Sequence, residues 1–180
     1  MSNVIESLRL FLQPFSPADA DDAYQCITPS LTRYMAWEPP ASPDEFATVW
    51  RAWIKSYADN TELVFTVREK HTSRFLGLVG LHHLQTSAPE IGIWIREECH
   101  GNGFGREAVT CLYVLASANF DRASFIYPVA EDNYPSRRIA ESLGGVVAGS
   151  RPTPKYRAVL YRIRCHDLGV RNDTSTQSTH

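Results

Sequence analysis

The chain has 180 residues, enough to bury a substantial core as one domain without disulfides or a structural metal. Its 18 basic and 20 acidic residues leave a formal charge of -2, so no bulk field draws it to nucleic acid or to an anionic membrane. The opening segment MSNVIESLRLFLQPF lacks a basic stretch followed by a long apolar run, which sets the expectation of a cytoplasmic protein with no membrane and no nucleic-acid partner. Cys26, Cys99, Cys111 and Cys165 are scattered, without C-x-x-C or zinc-ligand spacing, so they read as reduced structural thiols with no metal site. Among them only Cys99, beside a glycine-rich stretch, is a candidate for function.

LRLFL, residues 8–12, alternates apolar and polar side chains and predicts a first strand that stops before Pro14. Ser16-Pro17-Ala18-Asp19 carries a capping serine, a proline at the first helical position and an early acid, a helix start. Ser42-Pro43-Asp44-Glu45 repeats it as a capping box, and Phe46, Val49, Trp50, Trp53, Ile54 and Tyr57 then recur at helical spacing. ELVFTV, FLGLVGLHHL and EIGIWI follow as strands joined by short polar connections, the pattern of an antiparallel meander. Phe104, Ala108, Cys111, Leu112 and Leu115 mark another amphipathic helix, and SFIYPVA another strand. A helix over Pro135 to Leu143, closed by Gly144-Gly145, and the strands VVAGS and RAVLYRI complete a domain expected to span residues 1–168. The polar stretch 169–180, GVRNDTSTQSTH, reads as a disordered tail.

Between EIGIWI and the next helix lies CHGNGFGREA, with glycines at 101, 103 and 105. A dinucleotide fingerprint needs G-x-G-x-x-G, but Arg106 stands where the third glycine belongs, and a P-loop needs G-K-[ST]. A pyrophosphate cradle of another kind remains: alternate glycines let backbone N–H groups face one concavity at a positive helix N-terminus. A glycine-rich turn without a ligand stays open at this point.

The pattern [QR]-x-x-G-x-[GA] between a strand and a helix resembles the coenzyme A loop of the GNAT N-acetyltransferases, and His100-Gly101-Asn102-Gly103-Phe104-Gly105 matches it except at the first position. With Glu90-Ile91-Gly92-Ile93-Trp94-Ile95 before it and Asn133-Tyr134-Pro135-Ser136 after it, the chain from about Leu8 to Ile163 is similar to the branch holding the ribosomal-protein N-terminal acetyltransferases RimJ and RimL. The resemblance implies an α/β acyltransferase fold: a mixed, mainly antiparallel sheet of about seven strands, splayed at its centre, with four principal helices. It implies acetyl-CoA as cosubstrate, without a metal, and is compatible with a homodimer. Ile93, Trp94 and Ile95 would then lend backbone groups to the pantetheine arm, His100 to Arg106 would hold the pyrophosphate, and Asn133 and Ser136 would form the opposite wall. Two departures stand out: His100 replaces an arginine or glutamine, and Ala140 occupies the place of a general-acid tyrosine seven residues after the asparagine.

Acetyl transfer to an amine needs a neutral nitrogen, a polarised thioester and a proton for the departing thiolate. A lysine amine is neutral only about once in 2,500 molecules at pH 7, whereas an α-amine is penalised by only about 1 kcal/mol, which favours an N-terminal acceptor. Glu90 is the candidate base, acting through a water, against the reading of a solvated strand-edge acid. Ser136 is the candidate to steer or protonate the thiolate, against the reading of a simple helix cap. Of the neighbours His82 and His83, at most one faces a substrate, since adjacent strand residues point to opposite sides. Tyr34, Trp37 and Glu38 are candidates to line an acceptor cleft, with Arg33 meeting an acceptor carboxylate or phosphate; local core is the alternative. The expected function is acetylation of a primary amine, foremost a protein or peptide α-amine, with a small-molecule amine and a catalytically silent acyl-CoA-binding module as alternatives.

Overall fold

The computed structural model describes residues 4–165, and the tail expected at 169–180 lies outside them. Eight strands form one sheet in the order β1-β2-β3-β4-β5-β6-β8-β7. They are β1 Ile5–Glu6, β2 Leu10–Pro14, β3 Leu63–Glu69, β4 Phe75–His82, β5 Glu90–Ile95, β6 Ser124–Ala130, β7 Val146–Pro152 and β8 Arg157–Arg164. The helices are α1 Ala20–Cys26, α2 Pro29–Thr32, α3 Pro43–Ala58, α4 Phe104–Asn119 and α5 Tyr134–Ser142.

The mixed, mainly antiparallel architecture and the four helices of seven residues or more follow the expectation, and the described residues form eight strands where about seven were expected. The extra strand is β1, two residues that fold back so that Ile5 and Glu6 pair with Leu12 and Phe11. Too short to show a period, it left no signal. The first predicted strand slides two residues onward to Leu10–Pro14, because Leu10 and Leu12 are the fully buried positions while Leu8 is exposed. Pro14 sits at the strand end instead of stopping it short. Ser16-Pro17 opens a 3-10 turn over Pro17–Asp19, whose Asp19 Oδ2 accepts from the Ser16 backbone N–H at 3.0 Å, and α1 continues from it.

The meander β2 to β5 is antiparallel throughout, and its strands are covered on both faces. Phe65, Val67, Val79, Leu81, Ile91 and Ile95 pack with α4 residues such as Val109 and Leu112. Val64, Leu78 and Trp94 point the other way, against Phe15, Ala23, Ile27 and the α3 residue Phe46. This two-sided burial explains why β3 and β4 read as continuous apolar runs without alternation. On α3, Trp53 meets Phe15 and Phe46 edge to face at 5.3 and 5.8 Å, so the predicted apolar face is an aromatic one.

One ion pair locks the first helix to the sheet. Arg68 of β3 reaches Asp19 at 2.8 Å and Asp22 at 2.9 Å, and Asp19 is only 2% exposed. Removing the guanidinium strands a buried carboxylate, so Arg68→Met should lower unfolding stability by about 3 kcal/mol, read from the urea midpoint.

Candidate active site

β5 and β6 are neighbours and parallel, yet a single register pair, Glu90 with Ile126, joins them. The Ile126 N–H donates to the Pro89 carbonyl at 2.9 Å at the same point. Beyond it the strands part, so the β6-facing edge of Ile93 to Ile95 runs on without a ladder partner, as a splayed sheet requires. A 3-10 turn over Glu97–Cys99 and then the glycine loop follow at the open end.

In that loop Gly101 and Gly103 both take φ of +78°, a conformation that costs other residues roughly 1–2 kcal/mol. Gly103 is the residue before α4, so the turn delivers the chain to a helix N-terminus with free backbone N–H groups. A methyl group at Gly101 would, chain neighbours aside, meet no described atom within 4 Å, so the positive φ and not crowding calls for glycine there. The loop is braced from outside: Arg9 donates to the Asn102 carbonyl at 3.0 Å and pairs with Glu107 at 2.7 Å, while its guanidinium lies 4.6 Å from the Phe104 ring centre. Arg106 is exposed. His100 donates Nε2–H to the Ile95 carbonyl at 2.6 Å, which ties the loop to the strand. These features fit a pyrophosphate-bearing cosubstrate. Cys99, the one thiol kept for function, is 4% exposed within the core and unsuited to that use.

Asn133 caps α5, accepting from the Ser136 N–H at 3.3 Å. Ser136 Oγ and the Tyr127 hydroxyl lie 2.8 Å apart, and burial pushes the Tyr127 phenol up to about 12. Tyr127 therefore stays protonated and holds the serine hydroxyl in one orientation. Ala140 is fully buried in the core, so the position of the family's tyrosine faces packed side chains.

The parted strands themselves line a cleft of about 770 Å³, within the range of small-molecule sites. Tyr34, Trp37, Glu38, Glu90, Asn133 and Ser136 all line it. Arg33 is absent from that lining and stacks its guanidinium 4.7 Å from the Tyr34 ring centre instead. Lys155, from the turn between β7 and β8, fixes the acceptor-side loop by donating to the Thr32 and Trp37 carbonyls at 2.9 and 3.3 Å and by pairing with Glu38 at 3.1 Å.

Glu90 is gripped by Arg151 of β7 through two parallel bonds of 2.9 and 3.0 Å. The guanidinium holds its carboxyl below the usual glutamate range, outweighing the opposing effect of burial. A general base works best with a pKa near the working pH, so this setting suits a permanently ionised carboxylate better than the proton acceptor expected of Glu90. Neither Arg151 nor Lys155 was legible beforehand, because a hairpin at the far end of the chain folds over the cleft. The Pro-bounded basic turn SRPTPKYR was the only available signal.

Gly103→Ala should cost about 1 kcal/mol of stability and weaken coenzyme A binding, measured by thermal melts with and without ligand. Because the folded Glu90 pKa is depressed, its pair with Arg151 stabilises the fold above the ordinary glutamate pKa and is lost as pH falls through the lower folded value. Arg151→Gln should therefore move the Glu90 carboxyl midpoint upward in a carbon-13 titration.

Comparison with known proteins agrees with this geometry. Residues 9–146 match the family model of the acetyltransferase (GNAT) domain. RimL, a ribosomal L7/L12 alpha-N-protein acetyltransferase solved in complex with coenzyme A, superposes with a TM-score of 0.80 at 16% identity, over 90% of this chain and 98% of that one. An acetyl transferase from Salmonella typhimurium that modifies the N-terminal serine of ribosomal protein L7/L12 gives 0.79 at 16%, over 92% and 100%. A GCN5-related N-acetyltransferase from Brucella melitensis gives 0.76 at 18%, over 91% and 79%. At these identities the structural likeness speaks for the fold, and the family match for the chemistry. A sheet parted beside a glycine-turned helix start, together with that match over most of the chain, places the protein among the GNAT acetyltransferases, enzymes that move an acetyl group from acetyl-CoA to an amine.

Proposed function

We propose that the acceptor is the N-terminal α-amine of a protein or peptide, acetylated by direct attack while both substrates are bound. The observation that carries this reading is the cleft beside the parted strands, which joins an ionised Glu90 and the Ser136–Tyr127 pair to an aromatic wall held by Lys155. The acidic side chains suit a cationic amine, and a site open at about 770 Å³ has room for the first residues of a chain. The relatives described as acting on ribosomal protein L7/L12 support the same class of acceptor.

Acetyl-CoA supplies the acetyl group as a thioester. The Gly101 to Gly105 loop and the α4 N-terminus would hold its pyrophosphate, with the free edge of Ile93 to Ile95 and the α5 cap at Asn133 on either side. Glu90 meets the incoming ammonium. The Ser136 hydroxyl steers and protonates the departing sulfur, held in place by Tyr127 through a bond that both hydroxyls can donate or accept. Fixing two reactants in this geometry supplies several kcal/mol of the barrier without a protein nucleophile.

The test is product detection by mass from acetyl-CoA with peptides of varied N-terminus, α-blocked lysine peptides, polyamines and aminoglycosides. Peptides with free N-termini should gain one acetyl group on the α-amine and blocked ones none. Ser136→Ala should lower kcat by about a hundredfold and Tyr127→Phe by about tenfold, with the KM for acetyl-CoA unchanged. Turnover of small amines alone would move the acceptor to that class. Bound but intact acetyl-CoA with every amine would mark a silent binding module.

A further inference from the structure

The proposed reaction leaves the amine's proton without a destination, since Glu90 is committed to Arg151. The cleft holds a second set of groups that supplies one. His82 is the β4 residue directly across from Glu90 in the register of β4 and β5, and it lines the same cleft. Side chains two apart on a strand share a face, so Glu90, Gly92 and Trp94 face one way on β5, and His82, Gly80 and Leu78 match them on β4.

The His82 ring lies back over the two glycines. A methyl group built at Gly80 would come within 2.9 Å of Nε2, and one at Gly92 within 3.1 Å. At Gly92, chain neighbours aside, the only described atoms within 4 Å of such a methyl belong to His82, so the bare strand there leaves room for this ring. The other ring nitrogen, Nδ1, is 3.5 Å from Glu62 Oε2 at the entry to β3. The histidine and glutamate side chains are 32% and 29% exposed, and both residues line the cleft. His83, the neighbour, leaves the strand with φ of +58° and is exposed.

A carboxylate 3.5 Å from Nδ1 favours a proton on that nitrogen, which leaves the lone pair on Nε2, the arrangement that orients a histidine base. The contact also draws the Glu62 carboxyl below its usual range, as expected of a group that stays ionised beside the ring. From this geometry we infer that His82, oriented by Glu62, is the general base that takes the proton from the acceptor amine. The step balances without any further reagent. The acceptor sheds its ammonium proton to solvent before attack, and the N–H proton of the resulting amine passes to His82 Nε2, directly or through one water, as the nitrogen forms its bond to the acetyl carbon. The carbon–sulfur bond breaks, the Ser136 hydroxyl passes a proton to the sulfur as it takes one from solvent, and the imidazolium returns the amine's proton to solvent, so the proton lost by the nitrogen is matched by the one gained by the thiol. Glu62 is a positioning residue in this scheme, and Glu90 remains an ionised partner of the ammonium.

The inference rests on the enzyme acetylating an amine, whichever class that proves to be. The experiment compares wild type, His82→Gln and Glu62→Gln on the amine that wild type turns over best, with acetyl-CoA affinity measured separately by calorimetry. His82→Gln should lose about a hundredfold or more in kcat, and Glu62→Gln about tenfold, with acetyl-CoA affinity held within twofold. Added imidazole should restore part of the activity of His82→Ala. In long-range proton–nitrogen spectra at pH 8, wild-type His82 should carry its proton on Nδ1. A His82→Gln enzyme that keeps a third or more of wild-type kcat, or a ring protonated on Nε2, overturns the assignment. Inert peptides with an active small amine overturn only the acceptor class, since His82 is then tested on that amine. A chain that acetylates no amine overturns both.

Discussion

Everything about the site depends on the failure of two neighbouring strands to stay together. β5 and β6 are bound at Glu90 and Ile126 and nowhere further along, and a sheet so interrupted carries backbone groups that must find partners elsewhere. The same parting opens the cleft and puts Glu90 at the point where the strands divide. The α4 crossover that makes β5 and β6 parallel also delivers the glycine turn to the open end, so one topological feature assembles strand edge, loop and helix N-terminus.

The charges in the cleft are sorted by what holds them. Glu90 is kept ionised by a two-pronged guanidinium, whereas the His82 ring meets a single carboxylate on one side and the cleft on the other. An acid gripped by arginine makes a good fixed anion and a poor proton acceptor, and an oriented imidazole is the reverse. The tyrosine expected at residue 140 would fall in packed core, and the hydroxyls of Ser136 and Tyr127 stand together instead on the cleft wall.

Much of this was legible in the residues. The meander, the long helices and the caps at Ser42 and Asn133 follow from period and capping chemistry, which act over a few residues. Gly101 and Gly103 announced themselves because a left-handed turn before a helix restricts residue type. The two-residue β1 was invisible, as was the short helix Pro29–Thr32 within the acceptor-side loop. Arg33 was expected in the cleft because of its neighbours in sequence, but its side chain has an aromatic ring closer at hand.

The sequence by itself determined the order of the longer elements, the family and the left-handed glycine turn before α4, because each rests on local chemistry repeated at fixed spacing. Tertiary structure alone decided how the titratable groups are partnered. Arg151 reaches Glu90 from 61 positions away, Lys155 reaches Thr32 from 123, and Glu62 meets His82 only through the register of β3 on β4. Charge pairing acts through space over a few ångströms, so a residue's role as anion, anchor or base is set by which strand folds beside it, and no spacing along the chain records that.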